Sequence, residues 1–353
     1  MGIMKLKYGL VAPLAFLLIF SGQIVYVLTE WRWFGSVGYS NVFTTMITAK
    51  FALFLATALI FGAVSFINLS QITERPRHVF WIVIAISVLF GLVVAQVGWD
   101  KLLLALNVQT FYIQDPLFQK DVGFYVFTLP FLWILWDAVF ATVLINLIIT
   151  AGIYFFVQAD RVLFQEPIEY AEIARMIPGK VQSHIAALLG VLAVLFSIRY
   201  LLSRFDLLYS DTGVVYGAGY ADVHAHLPFL YICAGVAILV AVLLFAFTAG
   251  RRSSQILILT GVIIVATAGL GAVYPAMVQQ YKVSPNEIVM EEPFIIHNIN
   301  YTLQAYGLSN IDETTFPVDY NLTRNDLRAN SATIDNVRLW DWRPLLKTYK
   351  QLQ

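Results

Sequence analysis

Residues 223–250 read VHAHLPFLYICAGVAILVAVLLFAFTAG, a run of 28 residues without Asp, Glu, Lys or Arg. A helix rises about 1.5 Å per residue, so about 20 apolar residues cross a hydrocarbon core of about 30 Å. Working outward, further uncharged runs cover 8–29, 51–73, 79–99, 138–159, 181–198 and 253–281. The fifth of the seven in chain order reaches full length by continuing past Arg199 to Leu202, and the fourth is expected to begin earlier, near Leu129, with Asp137 inside it. Each backbone group in lipid needs a partner within its own segment, which selects helices, and a barrel would show short alternating strands instead. The pattern predicts an all-α membrane protein, a bundle of about seven transmembrane helices followed by a small mixed α/β extracytoplasmic segment.

Composition agrees. Apolar residues make up 59% of the chain and charged residues 12%, against about 25% charged in soluble domains. So little charge cannot cover a water-facing surface of this size. Net charge is zero, which gives no field for nucleic acid. The one cysteine, Cys233, lies inside a span, so no disulfide forms within the chain.

Basic residues near the span ends set the orientation. With seven spans, one side holds Lys5, Lys7, Arg75, Arg77, Arg161, Arg175, Lys180, Arg251 and Arg252, nine in all. The short loops opposite hold four, Arg32, Lys101, Lys120 and Arg204. The bias predicts a cytoplasmic N-terminus, a seven-span domain over 1–274 and an extracytoplasmic segment over 275–353 that begins a larger domain. The first span has no small-residue cleavage site after it and reads as a retained signal anchor.

Between the spans, Trp31 to Tyr39 is an aromatic loop suited to the headgroup level. Trp99 to Val108 has the pattern of a short interfacial helix, and Glu166 to Ile177 that of an amphipathic helix ended by Pro178-Gly179. In the tail, Ser284 to Glu287 reads as a turn and Glu292-Pro293 opens a helix that ends near Gly307. Thr323 to Ala329 is a second helix, Ile334 to Trp340 alternates like a strand, and Asp341 caps a last helix containing Pro344.

Two constellations carry chemistry. Asp137 falls roughly 10 Å into the membrane at 1.5 Å per residue past Pro130, where an ionised carboxylate is costly unless paired. Lys50 and Arg199 reach the same depth, so an ion pair is expected with one of them. The three form either a structural charge cluster or part of an ion path, which Gln23, Gln96 and Asn146 extend as a polar seam. Asp222, His224 and His226 form Asp-x-His-x-His, proper ligand types for zinc but only part of a site. The competing reading is a turn held by Gly217 and Gly219 with both histidines hydrogen-bonded at the interface. Ala268, Ala272 and Ala276 suit close helix packing. Phosphate loops, nucleophile elbows and HExxH motifs are missing from the sequence, so no catalytic residue, enzyme activity or cofactor is assigned.

Several motifs in order resemble one family. They are Trp31-Arg32-Trp33-Phe34 with Gly38-Tyr39, Asp115-Pro116-Leu117-Phe118 with Asp121-Val122-Gly123-Phe124-Tyr125, and Tyr216-Gly217-Ala218-Gly219-Tyr220-Ala221-Asp222-Val223-His224. They continue with Tyr274-Pro275, Val283-Ser284-Pro285-Asn286-Glu287, Asn298-Ile299, Ala305-Tyr306-Gly307-Leu308, and Asn336-Val337-Arg338-Leu339-Trp340-Asp341 with Arg343-Pro344-Leu345-Leu346. The chain resembles the N-terminal part of the uncharacterised bacterial membrane-protein family 0182. The resemblance implies a multi-pass plasma-membrane protein with seven spans, and a large extracytoplasmic region of which this chain would hold only the start. It implies no activity. The function expected is anchoring or scaffolding of an extracytoplasmic domain in the cell envelope. Its partners would be membrane lipids and either envelope proteins or further copies of the chain. A channel or transporter using the seam around Asp137 is the competing class.

Overall fold

The computed structural model describes residues 21–72, 76–163, 179–249, 254–312, 314–315, 318, 320–338 and 341–352. Two compact units emerge, Met1–Ile299 and Asn300–Gln353.

The first unit is helical. Helix α1 covers 21–36, followed by α2 (Ser40–Ser70), α3 (Pro76–Leu106), α4 (Leu129–Leu163), α5 (Gly179–Asp206), α6 (Leu227–Thr248) and α7 (Ser254–Val278). Five segments among the described residues are long and apolar enough to cross a membrane: Ser40–Ser70, Phe80–Leu106, Phe124–Phe156, Gly179–Tyr209 and Asp222–Thr248. They match five of the seven uncharged runs and fit a membrane protein. Of the other two runs, the first lies mostly outside the described residues, and the last coincides with α7.

Small residues bring the helices together, as expected where lipid supplies no hydrophobic drive. Phe61 on α2 stacks on Phe90 of α3 at 4.6 Å. Gly91 faces Ala58 and Phe54 so closely that a Cβ there would lie 2.9 Å from Ala58 Cβ. Gly190 on α5 likewise receives the Phe245 ring of α6, beside a core of Ala186, Ala193, Val240, Ala241, Leu244 and Phe247. Helix α4 joins this hairpin through Val143 against Leu192 and Leu195, and through the Trp136 indole donating to the Leu195 carbonyl at 2.7 Å. Large apolar side chains elsewhere on these helices point outward, as Leu59, Val93 and Ile232 do. A soluble fold would hide them, whereas lipid accommodates them.

Several local expectations change. Trp31 to Phe34 belong to α1, and the turn is only Val37 to Tyr39, with Gly38 at φ +80°. The segment Trp99 to Leu106 is the end of α3 rather than a separate interfacial helix, because the helix runs unbroken through Gly98 and no proline stands at the junction. The helix expected at Glu166 to Ile177 lies outside the described residues.

The second unit starts within α8 (Glu287–Ala305). This helix opens five residues before the expected Glu292, since a 3-10 turn over Ser284–Asn286 runs directly into it and Pro293 sits inside. Its end is where the sequence placed it. Gly307 at φ +67° lets the Leu308 N–H reach the Leu303 carbonyl at 2.7 Å, and few other residues adopt that conformation without strain. Short helices α9 (Arg324–Ala329) and α10 (Ser331–Asp335) precede α11 (Trp342–Leu352). Thr323 and Asp326 form a capping box that starts α9. The strand expected over Ile334 to Trp340 is replaced at its start by α10. Asn336 donates to the Ala332 carbonyl at 2.7 Å, and no strand among the described residues offers Ile334 an edge. Every described residue from 302 to 352 is exposed.

Candidate functional site

The expected charge cluster does not assemble. Trp136 packs inward on α5, and its neighbour Asp137, about 100° further round α4, is exposed. Lys50 instead lies over the Trp99 ring at 4.8 Å, and Arg199 over Trp136 and Trp133 at 4.9 and 5.4 Å. No ion pair among the described residues includes Asp137, and the cations have taken aromatic faces. Gln23 and Gln96 are exposed as well.

The polar seam runs elsewhere, through Asn146. Asn146 is fully buried on α4 and donates from Nδ2 to Ser65 Oγ of α2 at 2.9 Å and to the Thr142 carbonyl at 2.8 Å. One turn on, Asn68 Nδ2 donates to Thr150 Oγ1 at 2.8 Å. Asn68 Oδ1 meets His184 Nε2 of α5 at 2.8 Å, and His184 Nδ1 meets the Tyr154 hydroxyl at 3.2 Å. Since the Asn68 amide group donates to Thr150, its oxygen must accept. A neutral His184 therefore carries its proton on Nε2 and accepts from Tyr154. The two rungs, Ser65–Asn146 and Asn68–Thr150, rise in the same sense along α2 and α4, as parallel neighbours require. Asn146 Oδ1 is buried without a hydrogen-bond partner in the protein.

A second constellation forms where α5 stops and α6 starts. Residues 210–221 fold back as a turn, with Gly217 at φ +129° and its N–H on the Ser210 carbonyl at 2.8 Å. A π-helical turn, Asp222–His226, follows. Asp222 is buried and accepts from the Gly219 N–H at 3.2 Å and the Thr212 hydroxyl at 3.4 Å, while His226 Nδ1 stands 3.7 Å away. His224 turns aside to stack on Tyr220 at 4.1 Å. The two histidines therefore do not converge. No group of three or more His, Cys, Asp or Glu among the described residues can hold a metal ion.

Sequence reasoning missed Glu291. It projects from α8 into this turn, 1% exposed, and both carboxylate oxygens accept the Tyr220 N–H at 3.1 Å. A Cβ at Gly219 would sit 3.1 Å from both oxygens. Burial pushes the Glu291 carboxyl above its usual range, and the nearby charges of Asp222 and Glu287 add to this. Asn298, two turns further, donates to the Tyr216 carbonyl at 2.9 Å. Lys282 lies over the Tyr220 ring at 4.9 Å. In the sequence Glu291 reads as one of several acids ahead of Pro293, and only the glycine at 219 hints at the space it needs.

Residues 107–123 close around buried Asp115. This carboxylate accepts from the backbone N–H groups of Leu117, Phe118 and Lys120 and from the Tyr125 hydroxyl at 2.7 Å. Phe118, Phe124 and Tyr125 pack on Phe205 at the end of α5. Both buried acids lie inside the stretches Asp115 to Tyr125 and Tyr216 to His224, or reach into them.

The model of the uncharacterised protein family UPF0182 matches residues 7–80 and 70–353. The chain belongs to the UPF0182 family. The UPF0182 protein of Geobacter sulfurreducens is 34% identical over 94% of this chain and 39% of its own length. The relatives from Pelotomaculum thermopropionicum and Cupriavidus necator are 34% and 35% identical, over 92% and 95% of this chain and 38% and 39% of theirs. This UPF0182 chain thus spans about two fifths of the curated relatives it matches. No solved structure matches it.

Proposed function

We propose that the chain is the membrane-embedded base of a longer UPF0182 protein and anchors a domain outside the bacterial plasma membrane. In this reading it has seven spans over 1–274, a cytoplasmic N-terminus and an extracytoplasmic segment over 275–353. The observation that supports it is the pair of buried carboxylates, Asp115 and Glu291. They fix two loops at the end of the bundle, one to α5 and the other to α8. Loops that only joined spans would need no such internal ties, whereas a rigid rim is what a docked domain requires. Partners of this base are lipids, envelope proteins or further copies of the chain. A direct test uses the Geobacter sulfurreducens relative with a protease site inserted at the position matching Gln353. After cleavage in spheroplasts, the released C-terminal piece stays with the membrane fraction if the rim holds it. Its appearance in the supernatant overturns the anchoring role.

One observation favours the second reading, a channel or transporter. The orphan acceptor Asn146 Oδ1 sits on a seam of Ser65, Asn68, Thr150, Tyr154 and His184 rather than around Asp137. In that case Asn146→Leu abolishes a solute or ion flux in liposomes. Equal flux in the variant and the parent removes the seam from consideration.

A further inference from the structure

Helix α11 reads Trp342-Arg343-Pro344-Leu345-Leu346-Lys347-Thr348-Tyr349-Lys350-Gln351-Leu352. At 100° per residue, Trp342, Leu345, Leu346, Tyr349 and Leu352 share an arc of roughly 120°, and Arg343, Lys347 and Lys350 occupy an arc of roughly 60° beside it. The helix contains no acidic residue. Asp341 lies just before it and accepts from the Arg343 N–H at 3.0 Å, so the first turn is capped.

The stripe has no use within its own unit. Trp342 is 51% exposed, Leu346 44%, Tyr349 57% and Leu352 78%. A helix this amphipathic and this exposed needs a cover. We propose that the α11 stripe lies in the surface of a membrane containing anionic lipids. Trp and Tyr suit the headgroup level, Leu345, Leu346 and Leu352 enter the acyl boundary, and the three cations meet lipid phosphates along one flank. A lipid surface fits better than a protein groove because the charge beside the stripe has a single sign. The chain's apolar helices also keep that surface close, so α11 binds at a high effective concentration.

The full chain in lipid nanodiscs tests this. In a Cys233→Ser background, an environment-sensitive fluorophore is placed by Leu346→Cys on the stripe or by Gln351→Cys on the opposite face. With phosphatidylglycerol, the probe at 346 shifts to the blue and is quenched by spin-labelled lipid, while the probe at 351 stays in water. Each neutralised cation lowers the docked-to-undocked ratio about fivefold, so Arg343→Gln with Lys347→Gln and Lys350→Gln frees the helix. Replacing phosphatidylglycerol by phosphatidylcholine weakens docking without any change to the protein, which covers the case of a variant that fails to fold. The proposal is overturned if the probe at 346 stays in water in both lipids. It is also overturned if that probe shifts to the blue without quenching by spin-labelled lipid, because protein then covers the stripe.

Discussion

Glu291 and Asp115 hold their turns by the same chemistry, a carboxylate that accepts backbone N–H groups. Burial raises the Glu291 carboxyl, so the folded chain binds a proton that the unfolded chain releases above about 4.5. Stability from this group is complete below that value and is lost as pH rises through the higher folded value. Glu291→Gln keeps an acceptor for Tyr220 and has no proton to lose. Its thermal unfolding should therefore flatten between mildly acidic and neutral pH, where the parent's falls, and an unchanged slope in the variant would place the pH dependence elsewhere. Asp115 is tied by three backbone donors and a phenol, so Asp115→Asn turns a donor toward donors and costs about 1–3 kcal/mol. Tyr125→Phe removes one of those bonds, about 1 kcal/mol. Denaturant titrations of the purified chain should rank them in that order, and the reverse order refutes the Asp115 account. The sequence pointed to Asp137 because a lone acid in an apolar run is conspicuous. Whether it meets a cation depends on helix rotation, which spacing within one helix leaves open, and the rotation was set by Trp136.

At the scale of elements, packing distance separates glycines that look alike in sequence. A Cβ at Gly190 would lie 2.8 Å from the Phe245 ring, whereas at Gly152 it meets nothing within 4 Å. Alanine in an open helix position gains up to about 1 kcal/mol over glycine, and overpacking costs about 1–3. Gly152→Ala should therefore raise the unfolding temperature and Gly190→Ala should lower it. Two shifts of the same sign would contradict the α5–α6 contact. The uncharged runs located five of these helices because lipid-facing residues betray themselves by composition alone. Helix ends were legible where backbone chemistry fixes them, as at Gly307 and Thr323. They were missed where a short polar stretch did not break the helix, as at Asp100 and Lys101 in α3. The alternation at Ile334 suggested a strand, but alternation makes a strand only when a neighbour supplies hydrogen bonds, and the local turn at Asn336 prevailed.

For the whole molecule, the distribution of burial matters most. The helices of the first unit share packed seams, while the described residues from 302 to 352 bury no side chain. A stretch with no core and no cysteine cannot offset its conformational entropy alone. Residues 275–353 expressed separately should show no cooperative thermal transition, and a sharp monomeric one would contradict this. The family match covers the chain without supplying an activity, so the proposed role depends on a topology that remains a proposal, a base within the membrane and a segment beyond it. The most direct measurement is a pair of fusions after Gln353, one to alkaline phosphatase and one to a fluorescent protein that matures only in the cytoplasm. The account predicts an active phosphatase and a dark fluorescent protein; a bright fluorescent protein with an inactive phosphatase would contradict it.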